Sequence, residues 1–175
     1  MRTVAEVDAL ASAAHAGQFD KIGVPYIEHV RAVAAGLAPF GDHLVMAWLL
    51  HDVIEDTDWT ADGLREAGVP GHVVALVEAV TNERGVPYEE KVARITGCGR
   101  DAVLLKVADN AHNSHPGRAV ELSEEQRTRL ASKYRAARKI LWPAVEDRDI
   151  ETIIQVVNPS LLDELRERQA QGSPS

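Results

Sequence analysis

Leu44-Val45-Met46-Ala47-Trp48-Leu49-Leu50-His51-Asp52-Val53-Ile54-Glu55-Asp56-Thr57 is the stretch on which the reading of this chain turns. Residues 44–50 are apolar on every side of a helix, a pattern that fits a helix enclosed by neighbours rather than one lying on a surface. Such a segment lies at the centre of a bundle. It is the longest apolar run in the chain, and it falls far short of the roughly twenty residues that cross a bilayer, so a membrane-spanning role is excluded. Directly after it come His51, Asp52, Glu55 and Asp56, four ionisable groups leaving the core together. Placing such groups there is costly unless something compensates their charge.

A second strongly apolar segment, residues 102–108, also ends in polar groups: Asp109, Asn110, His112, Asn113 and His115. Between and around these two segments the apolar residues recur at helical rather than alternating spacing, and aromatics are scarce at 5%. The fold class is therefore all-α, a helical bundle. Val4, Val7, Leu10, Ala11 and Ala14 form the stripe of a helix over 4–16 that stops near Gly17. After a loop with Gly23 and Pro25, Ile27, Val30, Val33, Ala34 and Leu37 predict a helix over 26–38 that carries His29. Asp42 is suited to cap the central helix. Thr60 and Asp62 suit the start of a short helix to about residue 67, and Pro70 opens another with Val73, Val74, Leu76, Val77 and Val80. Residues 81–86 read as a loop. Pro87 opens a helix to residue 96, and Gly97 and Gly99 break it before the second apolar segment. Ser123 and Gln126 have capping-box spacing for a helix to about residue 141, and a last helix is expected over 160–169. Residues 1–170 read as one domain and 171–175 as a disordered tail.

The 175 residues are 45% hydrophobic and 26% charged, as expected of a chain that folds by itself. A formal charge of −8 opposes attraction to a phosphate polymer, so DNA and RNA are not expected partners, although a small anion can still be held in a local positive pocket. Cys98 is the sole cysteine, which excludes an intramolecular disulfide and a cysteine-only zinc site. Glu6 and Asp8 interrupt any signal-peptide pattern, and a cytoplasmic, reducing compartment is the expectation.

For a single His or Asp in these clusters, helix capping is the ordinary explanation. His51-Asp52 followed one turn later by Glu55-Asp56 points instead to a bound cation. Imidazole and carboxylate suit Mn²⁺, Fe²⁺, Zn²⁺ or Mg²⁺. Neighbours on a helix diverge by roughly 100°, so other helices must complete such a site.

The pair His51-Asp52 resembles the signature of HD-domain metal-dependent phosphohydrolases, and His51 to Thr57 is similar to the hydrolase domain of the RelA/SpoT proteins. Four strings carry this resemblance in order: His15-Ala16-Gly17-Gln18, Gly23-Val24-Pro25-Tyr26-Ile27-Glu28-His29, His51 to Thr57, and Leu105-Lys106-Val107-Ala108-Asp109. They match the small alarmone hydrolases over about residues 5–140. The resemblance implies that His29, His51, Asp52 and Asp109 hold a divalent metal, usually Mn²⁺. It also implies that Glu55 and Asp56 are the catalytic pair acting on a water activated by that ion. Asn113 matches a nucleotide-contacting residue of the family, and Lys21 a basic residue near the phosphates. The family usually has Arg where this chain has Asp20, and a basic residue after the aspartate where this chain has Asn110.

Lys106 either faces the same pocket or covers apolar surface with its stem. Tyr134 is a candidate for stacking on a base, with a core position as the alternative. His15 and Gln18 are expected to orient neighbours of the site. His43, His72, His112 and His115 carry no assignment; two of them at the site would make it resemble the binuclear HD phosphodiesterases. The activity implied is removal of pyrophosphate from guanosine 3′-diphosphate 5′-diphosphate or a close relative, a small-molecule nucleotide substrate. The alternatives are hydrolysis of another nucleotide or phosphomonoester, and a nucleotide sensor without turnover. No synthetase domain is expected within this length.

Overall fold

The computed structural model of the chain describes residues 1–20, 23–81 and 85–172. Among them run eleven α-helices: α1 (Val4–Ala14), α2 (Tyr26–Leu37), α3 (Asp42–Leu50), α4 (Val53–Asp56), α5 (Ala61–Glu66), α6 (Gly71–Val80), α7 (Tyr88–Thr96), α8 (Arg100–Asn113), α9 (Glu124–Leu141), α10 (Asp147–Val157) and α11 (Leu162–Gly172). No strand forms among the described residues. No described helix is long and apolar enough to cross a membrane. The predicted loop over 81–86 falls partly, and Lys21 and residues 173–175 fall wholly, outside the described residues.

Two helices make the centre. In α3 the residues Leu44, Met46, Ala47, Trp48, Leu49 and Leu50 are all buried, and in α8 every residue from Ala102 to Ala111 is buried, including Lys106, Asp109 and Asn110. Around them α2 packs on α3, α8 and α10, α6 packs on α3 and α8, and α7 and α9 close the other side of α8. The two apolar segments of the sequence therefore become the two enclosed helices, which sets their polar C-terminal ends close together.

Local chemistry fixes the helix starts. The Ser123–Gln126 capping box forms as predicted, with the Ser123 hydroxyl accepting from Gln126 N and the Gln126 side chain accepting from Ser123 N. Thr60 caps α5 through Gly63 N. Pro25, Pro70 and Pro87 each stand one place before their helix, with φ near −55° and extended ψ. Asp42 is not the cap of α3: Gly41 holds that position at φ 111°, a conformation that favours glycine, and Asp42 is the first helical residue. The first helix ends at Ala14 rather than at residue 16, and Gly17 turns the chain at φ 79°.

The helix α10 has no counterpart among the elements expected from the sequence. Ile150, Ile153, Ile154 and Val157 give it a regular apolar stripe that packs against α2 and α8. Gly36 of α2 permits close approach there, since a Cβ on it would lie closer than 3.0 Å to Val157 Cγ2.

Candidate active site

The helix that begins at Asp42 stops at Leu50 because residues 51 and 52 form a turn, after which Val53, fully buried, anchors the single turn α4. His51 and Asp52 both keep right-handed helical dihedrals, and their side chains meet, with His51 Nε2 2.8 Å from Asp52 Oδ2. His51 Nδ1 is 2.8 Å from Trp48 O, which assigns it the proton and leaves Nε2 as the nitrogen that faces the acid. The imidazole also stacks on Trp48, with centroids 3.7 Å apart and planes within 15°.

From α8, Lys106, Asp109 and Asn113 project at i, i+3 and i+7 onto one face. Lys106 Nζ pairs with Asp109 Oδ2 at 2.8 Å, and Asn113 Nδ2 donates to Asp109 Oδ1 at 2.5 Å. From α2, His29 is buried, and its Nδ1 lies 2.7 Å from Nδ1 of His112. Tyr26, one turn before His29, donates its hydroxyl to Asp52 Oδ2. Tyr26, His29, His51, Asp52, Lys106, Asp109 and Asn113, with Glu55, Asp56 and Arg118, line one cavity of about 280 Å³ walled by Trp48, Val80 and Leu105.

Thus His29, His51, Asp52, Glu55, Asp56, Lys106, Asp109 and Asn113 come together from separate parts of the sequence. Tyr134 does not line this cavity; it lies on an adjoining groove shared with Asn113 and Arg118, its ring edge-on to Tyr88 at 6.3 Å. The groove sits between α9 and the residues after α8, so a helix position three turns into α9 reaches its wall rather than the central cavity. His15 hydrogen-bonds Gln18, touches the Tyr26 ring at 5.0 Å, and Gln18 reaches Asp56 O, so both support cavity residues from behind. His43 pairs with Asp101, and His115 accepts from Gly117 N in the turn after α8; neither lines the cavity.

Three groups in or directly behind the cavity carry no role in the sequence analysis. Tyr26 stands one helical turn before His29, a spacing that signals a shared face. His112 lies one turn after Ala108 on the inner helix. Arg118 gives no sequence signal beyond its charge, because it arrives from the 3₁₀ turn Pro116–Ala119 and pairs with Asp20, 98 positions away, at 3.4 Å.

The electrostatics follow from burial and pairing. Burial alone would raise Asp52, but the His51 charge and hydrogen bond, helped by Tyr26, outweigh it and hold the carboxyl well below the usual range. Burial opposes the charge on His51, and Asp52 outweighs it, so His51 is raised. Asp109 and Lys106 stabilise each other against the same cost, the acid lowered and the amine raised. His29 is pushed down to about 4, first by burial, and His112 to about 3 by burial and the neighbouring His29. Asp56 is raised by burial and then by Asp52 and Glu55.

The donors suit a divalent ion by type: two imidazoles and two carboxylates around a charged cavity. Each is at present turned to a neighbour, and among the described residues no three His, Cys, Asp or Glu side chains are gathered closely enough to enclose one ion.

Known proteins give the same outline. The HD domain family matches residues 8–167. The chain is 37% identical over 136 residues to a guanosine-3′,5′-bis(diphosphate) 3′-pyrophosphohydrolase of Haemophilus influenzae, covering 71% of this chain and 20% of that protein. It is 35% identical over 102 residues to guanosine-3′,5′-bis(diphosphate) 3′-pyrophosphohydrolase MESH1 of Danio rerio, covering 54% of this chain and 56% of that protein. The chain thus spans between a fifth and somewhat over half of the length of these relatives. A solved structure of a metazoan ortholog of SpoT, described as hydrolysing ppGpp, superposes with a TM-score of 0.69 over 87% of this chain and 93% of that one, at 24% identity, which shows the shared fold. With a family match across nearly the whole chain and a cavity built around His51-Asp52, this chain belongs to the HD-domain family.

Proposed function

We propose that this protein is a divalent-metal-dependent phosphohydrolase that removes pyrophosphate from (p)ppGpp-like guanosine 3′-diphosphates. The observation that carries the reading is the convergence of His29, His51, Asp52 and Asp109 with Glu55 and Asp56 on one cavity. The names of the relatives in Haemophilus influenzae and Danio rerio support the substrate class. His29, His51, Asp52 and Asp109 are the residues that would hold the metal, with Mn²⁺ the ion expected from the family resemblance. Bound there, a divalent ion lowers the pKa of water and neutralises phosphate charge.

The rest of the chemistry belongs to the chain. Glu55 and Asp56, in the same turn and both lining the cavity, are the carboxylates placed to orient the attacking water and accept its proton. Tyr26 and the proton on His51 Nδ1 fix the orientation of Asp52 and of the imidazole. Lys106 and Asn113 fix Asp109. Hydrolysis of another nucleotide is the second reading, favoured by Asp20 at the position where the family usually carries Arg.

The test is incubation of metal-loaded protein with a panel of guanosine and adenosine nucleotides, following pyrophosphate and phosphate release. Pyrophosphate release from the guanosine 3′-diphosphates, abolished by His51→Ala and by Asp52→Ala, is expected. Release that survives both substitutions refutes the assignment, and tight binding without turnover identifies a sensor.

A further inference from the structure

Four carboxylates line the cavity, Asp52, Glu55, Asp56 and Asp109, against two permanent cations, Lys106 and Arg118. A phosphate-rich ligand entering this space needs more positive charge than the acids leave over. Lys106 is already committed, buried and 2.8 Å from Asp109. Arg118 is held differently. Its side chain is 25% exposed, it borders both the central cavity and the adjoining groove, and its ion pair with Asp20 is long at 3.4 Å.

Asp20 is a firm anchor. Its side chain is only 6% exposed, and its other carboxylate oxygen accepts from Val24 N at 3.0 Å. The pair is made through one terminal nitrogen of the guanidinium, and the planar group carries five N–H donors, so edges remain to meet an anion.

We propose that Arg118 is a substrate-contacting residue of this site, its guanidinium receiving a phosphate group of the nucleotide, and that Asp20 is the positioning residue that holds it at the seam between cavity and groove. This inference rests on the phosphohydrolase reading and adds a specificity determinant to it. The position of Arg118 assigns it to a phosphate at the seam rather than to the one attacked beside Glu55 and Asp56. It therefore favours substrates that carry more than one phosphate group. The acid at position 20 is then compatible with anion recognition, because it orients a cation that lies 98 positions away along the chain.

The experiment is calorimetric titration of inorganic pyrophosphate, with Mg²⁺ present, into the full chain and its Arg118→Gln, Arg118→Lys and Asp20→Asn variants. Thermal unfolding and steady-state kinetics on the guanosine 3′-diphosphate are measured on each. Arg118→Gln is expected to weaken pyrophosphate binding about 10- to 100-fold and to raise KM more than it lowers kcat, as loss of a charge-assisted hydrogen bond does. Arg118→Lys should recover part of that loss, and Asp20→Asn should weaken binding by about three- to tenfold with Arg118 still present. If Arg118→Gln and Asp20→Asn lower Tm while pyrophosphate affinity and KM stay at the wild-type values, the pair is only structural and the proposal is overturned. Absence of pyrophosphate binding by the wild-type chain overturns it as well. Should the wild type hydrolyse no nucleotide, the phosphohydrolase reading fails by itself, while the pyrophosphate titration still decides the role of Arg118.

Discussion

Replacing Gly36 by Ala tests whether α2 and α10 meet as closely as described. In an isolated helix the change would stabilise by about 1 kcal/mol, because alanine restricts the unfolded backbone more than glycine does. Here the added Cβ would lie closer than 3.0 Å to Val157 Cγ2, a separation that real Cβ atoms essentially never show, and 3.4 Å from Ile153 O. Val157 is β-branched and 6% exposed, so it has little freedom to swing aside. Overpacking of this kind costs about 1–3 kcal/mol, which offsets or exceeds the propensity gain and leaves a net loss of up to about 2 kcal/mol. For a chain of this size that is a fall in Tm of up to about 8 °C. Val157→Ala alone should cost about 2 kcal/mol through lost burial and the space left behind. In that background the sign reverses: the methyl added at position 36 enters the vacated volume, and Gly36→Ala becomes stabilising by about 1 kcal/mol, the full propensity gain. Urea unfolding followed by circular dichroism on the four proteins of the cycle measures this coupling. A Gly36→Ala protein more stable than the wild type, with Val157 intact, would refute the close approach.

Tyr26→Phe removes the hydroxyl that orients Asp52 and should lower Mn²⁺ affinity about 10- to 100-fold in calorimetric titration; unchanged affinity would remove Tyr26 from that role. Arg138→Met takes away a buried guanidinium that makes two bonds to Glu164 and one to Asn110, so roughly 3 kcal/mol of stability should be lost. Adding Glu164→Met should restore part of it, and an equal loss in single and double variants would contradict the account. In chelator-treated protein His29 and His112 stay neutral to about pH 4 and 3, whereas an ordinary imidazole titrates near 6.5. The unfolded chain therefore binds more protons in that window, so the stability is complete above about pH 6.5 and declines as pH falls toward 4 and then 3. A Tm that stays flat from about pH 7 to pH 4.5 would exclude this coupling.

The central helix was legible because residues 44–50 are apolar all round, a pattern with few structural solutions. Leu44 to Leu50 needed no partner information to be assigned to the interior, whereas Ala102 to Ala108 contains Lys106 and is enclosed only through the helices packed around it. Helix starts were legible where a side chain or a proline acts within a few residues, as at Ser123, Thr60 and Pro87. Gly41 was harder to read, since Asp42 is an equally good cap by composition and only the φ of the glycine distinguishes them. The helix α10 carried a regular stripe of Ile and Val, but three of its four stripe residues are isoleucine, which suits strands as well as helices.

At the site, position along the chain was informative only for groups one turn apart or one motif apart. Lys106 with Asp109, three residues apart on one helix, can be paired from spacing, and His51 with Asp52 is marked by its motif rather than by helical geometry. The bond from Tyr26 to Asp52, the contact of His29 with His112 and the Asp20–Arg118 pair join residues 26, 83 and 98 positions apart, and only the packing of α2 against α3 and α8 and the turn after α8 creates them.

The stacking of Trp48 on His51 has a practical consequence. The indole is held rigidly, with its Nε1–H bonded to Val30 O, and its face lies against an imidazole whose charge is set by Asp52. Any event that alters the protonation or ligation of that imidazole changes the electric field across the neighbouring ring system. The intrinsic ultraviolet emission of this tryptophan is thus a built-in optical reporter of events at the cavity, isolable by replacing Trp59 and Trp142 with phenylalanine and free of any attached dye.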